Sequence, residues 1–291
     1  MPHDEGIDRF LEEVRGLCDP HLEDILTPGA RHAAVIYEAM QYSVFAGGKR
    51  FRPALVCAAG EVFGAEESVV LDVACGVELI HTYSLIHDDL PCMDDDDLRR
   101  GKPTLHKVYG DGIAVLAGDA LYALALEVIA RNGTLKIVEE IARATGTEGM
   151  IGGQAADILF EGKEITAADL EFIHTHKTGS LISACLTSGA RLGDATASEV
   201  DLIRTFGAAV GLAFQIVDDV LDETGDSEIL GKKAGADRER DKNTYPKIHG
   251  LEASRQMALK LVESAKNELV LPGRDTIILN LLADFVVQRV M

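Results

Sequence analysis

Residues 111–131, DGIAVLAGDALYALALEVIAR, decide the fold class. Their apolar side chains recur at Ile113, Leu116, Ala117, Ala120, Leu121 and Leu124, the three- and four-residue steps of one helix face, without the strict alternation of a half-buried strand. The pattern continues on both sides. The chain has eight prolines and none between Pro103 and Pro246, a run of 142 residues in which a β-rich chain would place prolines at its turns. The sequence predicts an all-α fold. Helices are expected near residues 7–17, 30–46, 52–63, 68–89, 111–131, 134–160, 167–193, 197–224, 252–270 and 275–289. Loops are expected at Pro28-Gly29, Gly47-Gly48, Pro91, Gly101 to Pro103, Asn132-Gly133, Gly193-Asp194, the polar stretch from Gly225 to Pro246, and Pro272-Gly273. With no low-complexity linker and no repeat of fixed period, residues 1–291 are expected to form one bundle domain rather than a solenoid.

Of the 291 residues 47% are hydrophobic and 26% charged, which supports a large core and excludes disorder. Lys and Arg number 28 against 48 Asp and Glu, a net charge of −20 that repels nucleic acid and anionic lipid. No nucleic-acid partner is expected, and an anionic ligand needs a local positive device. No stretch approaches about 18 apolar residues free of charge, so no membrane span is expected. The N-terminal MPHDEGIDRFLEEVRGL is acidic where a targeting peptide begins basic, and the expectation is a cytoplasmic protein. The five cysteines, Cys18, Cys57, Cys75, Cys92 and Cys185, form no CxxC pair and read as reduced thiols.

Residues 79–107, LIHTYSLIHDDLPCMDDDDLRRGKPTLHK, run a nearly apolar helix into Asp88, Asp89, Asp94, Asp95, Asp96 and Asp97. Asp88 and Asp89 fall at the helix C-terminus, where the macrodipole opposes negative charge, so something positive must offset them. The pattern of an EF-hand loop is absent. Asp88 and Asp94 lie six residues apart, about 120° out of alignment on an unbroken helix. Pro91 supplies the break that lets Asp94 fold back toward Asp88. A second apolar helix carries Asp218, Asp219 and Asp222, and Asp218 and Asp222 share a face one turn apart. Each cluster alone could be a solvated face. Two of them on hydrophobic helices point to hard divalent ions held by oxygen, Mg²⁺ before Ca²⁺.

Three basic stretches stand out in this acidic chain. LRRGKPTLHK, residues 98–107, has Arg99, Arg100, Lys102 and Lys107 and no acid. Beside carboxylates that hold metal ions, such residues bind polyphosphate. GGKRFRP, residues 47–53, places Lys49, Arg50 and Arg52 at a helix start, and is no P-loop. GKKAGADRERDKNTYP, residues 231–246, reads as a loop able to close over phosphates.

Together GGKRFRP, DDLPCMDDDDLRRGKPT (88–104), GGQAADI (152–158), HKTG (176–179), FQIVDDVLD (214–222) and GKKAGAD (231–237) give a resemblance over nearly the whole chain. The sequence resembles the trans-prenyltransferases, specifically bacterial short-chain polyprenyl diphosphate synthases of the farnesyl and geranylgeranyl type. The resemblance implies a single-domain helical bundle of the isoprenoid synthase type around a central apolar cavity, with the two Asp motifs facing each other at its mouth, and a homodimer. It implies three Mg²⁺ ions per site, held chiefly by Asp88, Asp94 and Asp218 with Asp89 and Asp222 in support. Allylic diphosphate is expected to meet Arg99, Lys177, Thr178, Gln215, Lys232 and Lys242, of which Lys177, Thr178 and Gln215 are also the expected catalytic residues. Isopentenyl diphosphate is expected to meet Lys49, Arg52, His81 and Arg100.

The expected reaction ionises the allylic C–O bond, adds the isopentenyl double bond, and leaves pyrophosphate to take the proton. On the first helix Ser84 lies one turn deeper than Asp88, with Tyr83 beside it. In the resembling family a large aromatic at the position of Tyr83 goes with a fifteen-carbon product, so farnesyl diphosphate is expected first and geranylgeranyl diphosphate second. A terpene cyclase of the same fold, a non-catalytic partner subunit and an all-α pyrophosphohydrolase are the alternatives. Only the prenyltransferase uses two diphosphate sites and both complete Asp motifs.

Overall fold

The computed structural model describes residues 2–28, 33–225 and 242–290. It is all-α. Eight helices lead to the middle of the chain: α1 (Pro2–Ile25), α2 (Ala34–Val44), α3 (Phe51–Val62), α4 (Glu67–Asp88), α5 (Leu105–Tyr109), α6 (Asp111–Asn132), α7 (Leu135–Thr145) and α8 (Met150–Phe160). Next, α9 (Ala167–His174) passes through a π-helical turn (Thr175–Gly179) into α10 (Ser180–Leu192) and then α11 (Ala197–Thr224). After residues 226–241 come α12 (Tyr245–His249), α13 (Leu251–Glu268) and α14 (Ile277–Gln288).

The organising helix is α4, which packs on α6, α3, α1, α2 and α10. It is apolar all round because it is enclosed, with Val73, Cys75, Val77, Leu79 and Ile80 fully buried. Two glycines let it approach its neighbours. A Cβ on Gly76 would lie 2.4 Å from Ile129 of α6, and a Cβ on Gly118 of α6 would lie 2.2 Å from the ring of His87. The α3–α10 contact is closer still in kind, since a Cβ on Gly189 would stand 2.3 Å from the Val56 carbonyl oxygen. By length and composition α4, α6 and α11 could each cross a membrane, and 72%, 39% and 50% of their most apolar windows are buried in the bundle. The apolar length of α4 is thus used inside the fold, whereas much of α6 remains on its outside.

Arg50, at the start of α3, adopts φ 51° and is 3% exposed. It donates to Glu78 Oε1 at 2.8 Å, Asp19 Oδ1 at 2.8 Å and the Val44 carbonyl at 2.9 Å. Of the three cations in GGKRFRP, this one ties α1, α2 and α4 together instead of facing a ligand.

Several local features differ from the sequence expectation: α1 extends well beyond the expected 7–17 on both sides, and the short helices α5 and α12 are not among those expected. The single helix expected over 134–160 is two, because Gly146 and Gly149 end α7 and open α8. The 167–193 helix carries a π turn at HKTG. Residues 98–103 form a two-stranded hairpin, β1 (Leu98–Arg99) with β2 (Lys102–Pro103), whose central residues Arg100 and Gly101 both have positive φ, as a type I′ turn requires. Its strands are too short for periodicity to reveal.

Candidate active site

A cavity of about 660 Å³ opens among the C-terminal half of α4, α8, the π turn and α11. Asp88 ends α4. The backbone N–H of Asp94 donates to the Asp88 carbonyl at 2.8 Å, so the chain turns back at Pro91 and both carboxylates line one cavity. Withdrawal from water and the nearby Asp94 push the Asp88 carboxyl up to about 6, against the pull of Lys177. From the opposite wall α11 contributes Asp218 and Asp219. Asp222, one turn on, is buried and does not line the cavity.

The chain's own cations sit among these acids. Lys242 Nζ donates to Asp94 Oδ1 at 2.9 Å, and Arg289 to Asp218 Oδ1 at 2.8 Å. Lys177 Nζ donates to Asp157 Oδ2 at 2.7 Å, and Lys242 lies 3.8 Å from the same oxygen. Burial disfavours the Asp157 charge, but Lys177 and Lys242 outweigh it and hold that carboxyl below its ordinary value. Lys177 is correspondingly raised: burial opposes its charge, and Asp157, Asp88 and Asp94 more than offset that. Arg99, on β1, is committed to Asp89, with Nε 2.8 Å from Oδ1 and 2.9 Å from Oδ2. Asp89 therefore acts on the cavity through Arg99, which lines it.

A second basic group faces the cavity from the α3 side. Arg52 donates to His81 Nε2 at 3.2 Å, while its Nε is buried with no hydrogen-bond partner among the described residues. Burial, then Arg52 and Arg100, drive the His81 pKa well below its ordinary value, so the ring is the neutral acceptor that Arg52 needs. Arg100 reaches the Gly47 carbonyl, and a Cβ on Gly48 would lie 2.8 Å from its guanidinium, which is what the paired glycines are for. Lys49 lies 4.7 Å over the Phe285 ring, its pKa lowered by burial and then by Arg289. It stands beside the cavity rather than in its wall.

Thr178 Oγ1 donates to Gln215 Oε1 at 2.8 Å, and Gln215 Nε2 donates to Asp219 Oδ1 at 3.1 Å. The other Asp219 oxygen takes His174 Nε2 at 2.8 Å and the Tyr245 N–H at 3.0 Å. Tyr83 and Ser84 both line the cavity. Lys232 lies outside the described residues.

Among the described residues no three His, Cys, Asp or Glu side chains converge into a ready metal cage. The donors facing the cavity are carboxylate oxygens, few from each side. That is the set from which Mg²⁺ completes its shell with substrate phosphates, so the residues fit that ion.

Sequence reasoning missed Asp157, Asp219, His174 and Arg289. Asp157 sits inside the quoted GGQAADI and Asp219 beside Asp218, so both were in view without a role. Arg289 is a single cation near the chain end, and nothing local marks it.

A family model for polyprenyl synthetase matches residues 33–270. The chain is 51% identical to the Arabidopsis thaliana heterodimeric geranylgeranyl pyrophosphate synthase large subunit 1, chloroplastic, over 82% of this chain and 68% of that one. It is 50% identical to the Capsicum annuum geranylgeranyl pyrophosphate synthase, chloroplastic, over 98% of this chain and 76% of that one. Among solved structures, an FPP/GFPP synthase of Zymomonas mobilis superposes with a TM-score of 0.86 at 35% identity, covering 97% and 99% of the two chains. The cytoplasmic expectation is not upheld, since these plant relatives are named as chloroplastic proteins. Both of these plant relatives are named as geranylgeranyl pyrophosphate synthases or a subunit of one. With Asp88, Asp94, Asp218, Arg99, Lys177 and Lys242 lining one cavity and the family model covering most of its length, the chain belongs to the polyprenyl synthetase family and is a short-chain trans-prenyltransferase.

Proposed function

We propose that the chain condenses isopentenyl diphosphate with allylic diphosphates in a Mg²⁺-dependent reaction whose main product is geranylgeranyl diphosphate, and that it works as a homodimer. The observation that carries this reading is the convergence of Asp88, Asp94 and Asp218 with Lys177, Lys242 and Arg99 on one cavity. In this reading Arg99, Lys177 and Lys242, together with Lys232, take the allylic diphosphate, which their position in the cavity lining supports for the first three. Isopentenyl diphosphate in the same reading meets Arg52, His81 and Arg100, with Lys49 beside them, and the buried Arg52 Nε without a partner among the described residues supports it. Bound between the two Asp faces, three divalent ions would offset the charge that the pyrophosphate gains as the C–O bond breaks. Asp88, Asp94 and Asp218 supply the oxygen donors, Asp222 supports them, and Asp89 orients Arg99. The Thr178 and Gln215 oxygens, held by the bonds to each other and to Asp219, turn fixed dipoles toward the allylic carbon. The apolar wall below them keeps water from the cation. The departing pyrophosphate takes the proton.

A farnesyl product is the second reading, favoured by the bulk of Tyr83 in the cavity wall. Incubation with dimethylallyl and isopentenyl diphosphates and Mg²⁺, followed by chromatography of the dephosphorylated alcohols, separates the two. A dominant twenty-carbon alcohol is expected. A dominant fifteen-carbon alcohol selects the second reading, and no condensation overturns both.

A further inference from the structure

On α4 the residues lining the cavity stop at His81 and Tyr83, the next turn in, Leu79 and Ile80, is fully buried, and no α6 or α7 residue reaches the cavity. Tyr83 is therefore where the wall closes on this side. Its ring meets two others edge-on, that of His87 at 5.3 Å and that of Tyr122 at 5.1 Å between centroids. Tyr83 and His87 are four apart on α4, and the facing Gly118 and Tyr122 are four apart on α6. Gly118 makes room for His87, whose Nε2 lies 3.1 Å from the Val115 carbonyl, and Tyr122 fills the space behind Tyr83.

Tyr122 is itself anchored. Its hydroxyl lies 3.1 Å from Thr145 Oγ1, and that oxygen lies 2.9 Å from the Ile141 carbonyl. A carbonyl only accepts, so the one Thr145 proton goes to Ile141 and the Tyr122 O–H donates to Thr145. Thr145 is fully buried at the end of α7, so its oxygen has no water to take in place of the Tyr122 hydroxyl. A lone tyrosine on a helix can change rotamer under a growing chain. One backed by a second ring that is pinned to a third helix cannot yield without breaking that bond.

We propose that Tyr122 and Thr145 set the length at which the isoprenoid tail stops growing, by holding Tyr83 rigid as the end wall. This rests on the prenyltransferase reading. In this arrangement the side chain at position 83 is the front of a wall whose stiffness comes from α6 and α7.

The test compares product lengths of the full-length wild type with Tyr122→Ala, Tyr122→Phe, Thr145→Val and Thr145→Ser, from dimethylallyl and isopentenyl diphosphates with Mg²⁺, alongside their melting temperatures. In Tyr122→Ala the ratio of products longer than the main wild-type product to that product should rise about tenfold. Tyr122→Phe and Thr145→Val, which keep the bulk and lose the bond, should shift the same ratio about two- to fivefold. Thr145→Ser, which keeps the hydroxyl, should restore the wild-type distribution. If Tyr122→Ala does not fold, the near-isosteric Thr145→Val and Tyr122→Phe decide. Condensation with unchanged lengths in the folded variants would overturn this inference alone and leave Tyr83 acting by itself. No condensation by the wild type would overturn the functional reading, and the wall with it.

Discussion

Asp88 holds its carboxylate where loss of water and the nearby Asp94 both disfavour the charge, and its pKa of about 6 is the trace of that conflict. A divalent ion or a diphosphate-bound cation cluster relieves the conflict, so the group is poised to bind rather than to stabilise. Asp88→Ala and Asp218→Ala should each lower turnover by about three orders of magnitude or more with the fold intact, because each removes an oxygen donor aimed at the leaving group. Wild-type kcat/KM should fall as pH drops through about 6, where Asp88 gains its proton in the free enzyme. The stability sign is the opposite. A carboxyl raised in the native state above its unfolded value contributes stability at low pH and loses it as pH rises through the folded pKa. Without metal, Asp88→Asn should therefore gain in melting temperature over the wild type between about pH 4 and about pH 7.5. A difference that stays flat across that range would mean that Asp88 titrates normally. Equal turnover in Asp88→Ala and the wild type would remove it from the site.

At the level of helices, legibility followed periodicity. The long apolar elements α4, α6 and α11 lie within a few residues of their expected bounds because burial sets their pattern. The hairpin that carries Arg99 and Arg100, the Gly146–Gly149 break and the π turn depend on one or two backbone angles, which no window of hydrophobicity detects. The same contrast divides the site. Asp88 and Asp218 are legible as charges on apolar helices and Asp94 as one in the turn after Pro91, whereas Asp157, Asp219 and Arg289 acquire meaning only when distant helices meet. Where helices meet on glycine, the geometry yields a stability prediction. Gly189→Ala drives a Cβ against the Val56 carbonyl, which as backbone cannot move aside, and should cost about 1–3 kcal/mol. Gly112→Ala, in the first turn of α6 with nothing within 4 Å, should be neutral or gain about 0.4–1 kcal/mol. Thermal melts that ranked the two variants the other way would show that α3 and α10 can slide apart.

Over the whole molecule the charge of −20 repels the anions it is proposed to bind, and the lysines and arginines of the site answer that from inside the cavity, where salt screens them least. The apolar surface is arranged in the opposite way. Only 39% of the most apolar window of α6 is buried, leaving Leu116 54% and Val115 38% exposed on a helix whose inner face backs the cavity wall of α4. In the proposed homodimer the outer face of α6 packs on the same face of a second copy about a two-fold axis. Sedimentation at about 10 μM, where an apolar interface of ordinary size is fully occupied, should give twice the 31.3 kDa of one chain. Leu116→Glu places a charge in that interface without touching the cavity, so it should yield the single-chain mass. Turnover should fall with it, because α6 then loses the support that keeps it pressed on α4. A wild type that sediments as a single chain, or a Leu116→Glu variant that stays paired, would place the partner surface elsewhere and leave the exposed face of α6 without this role.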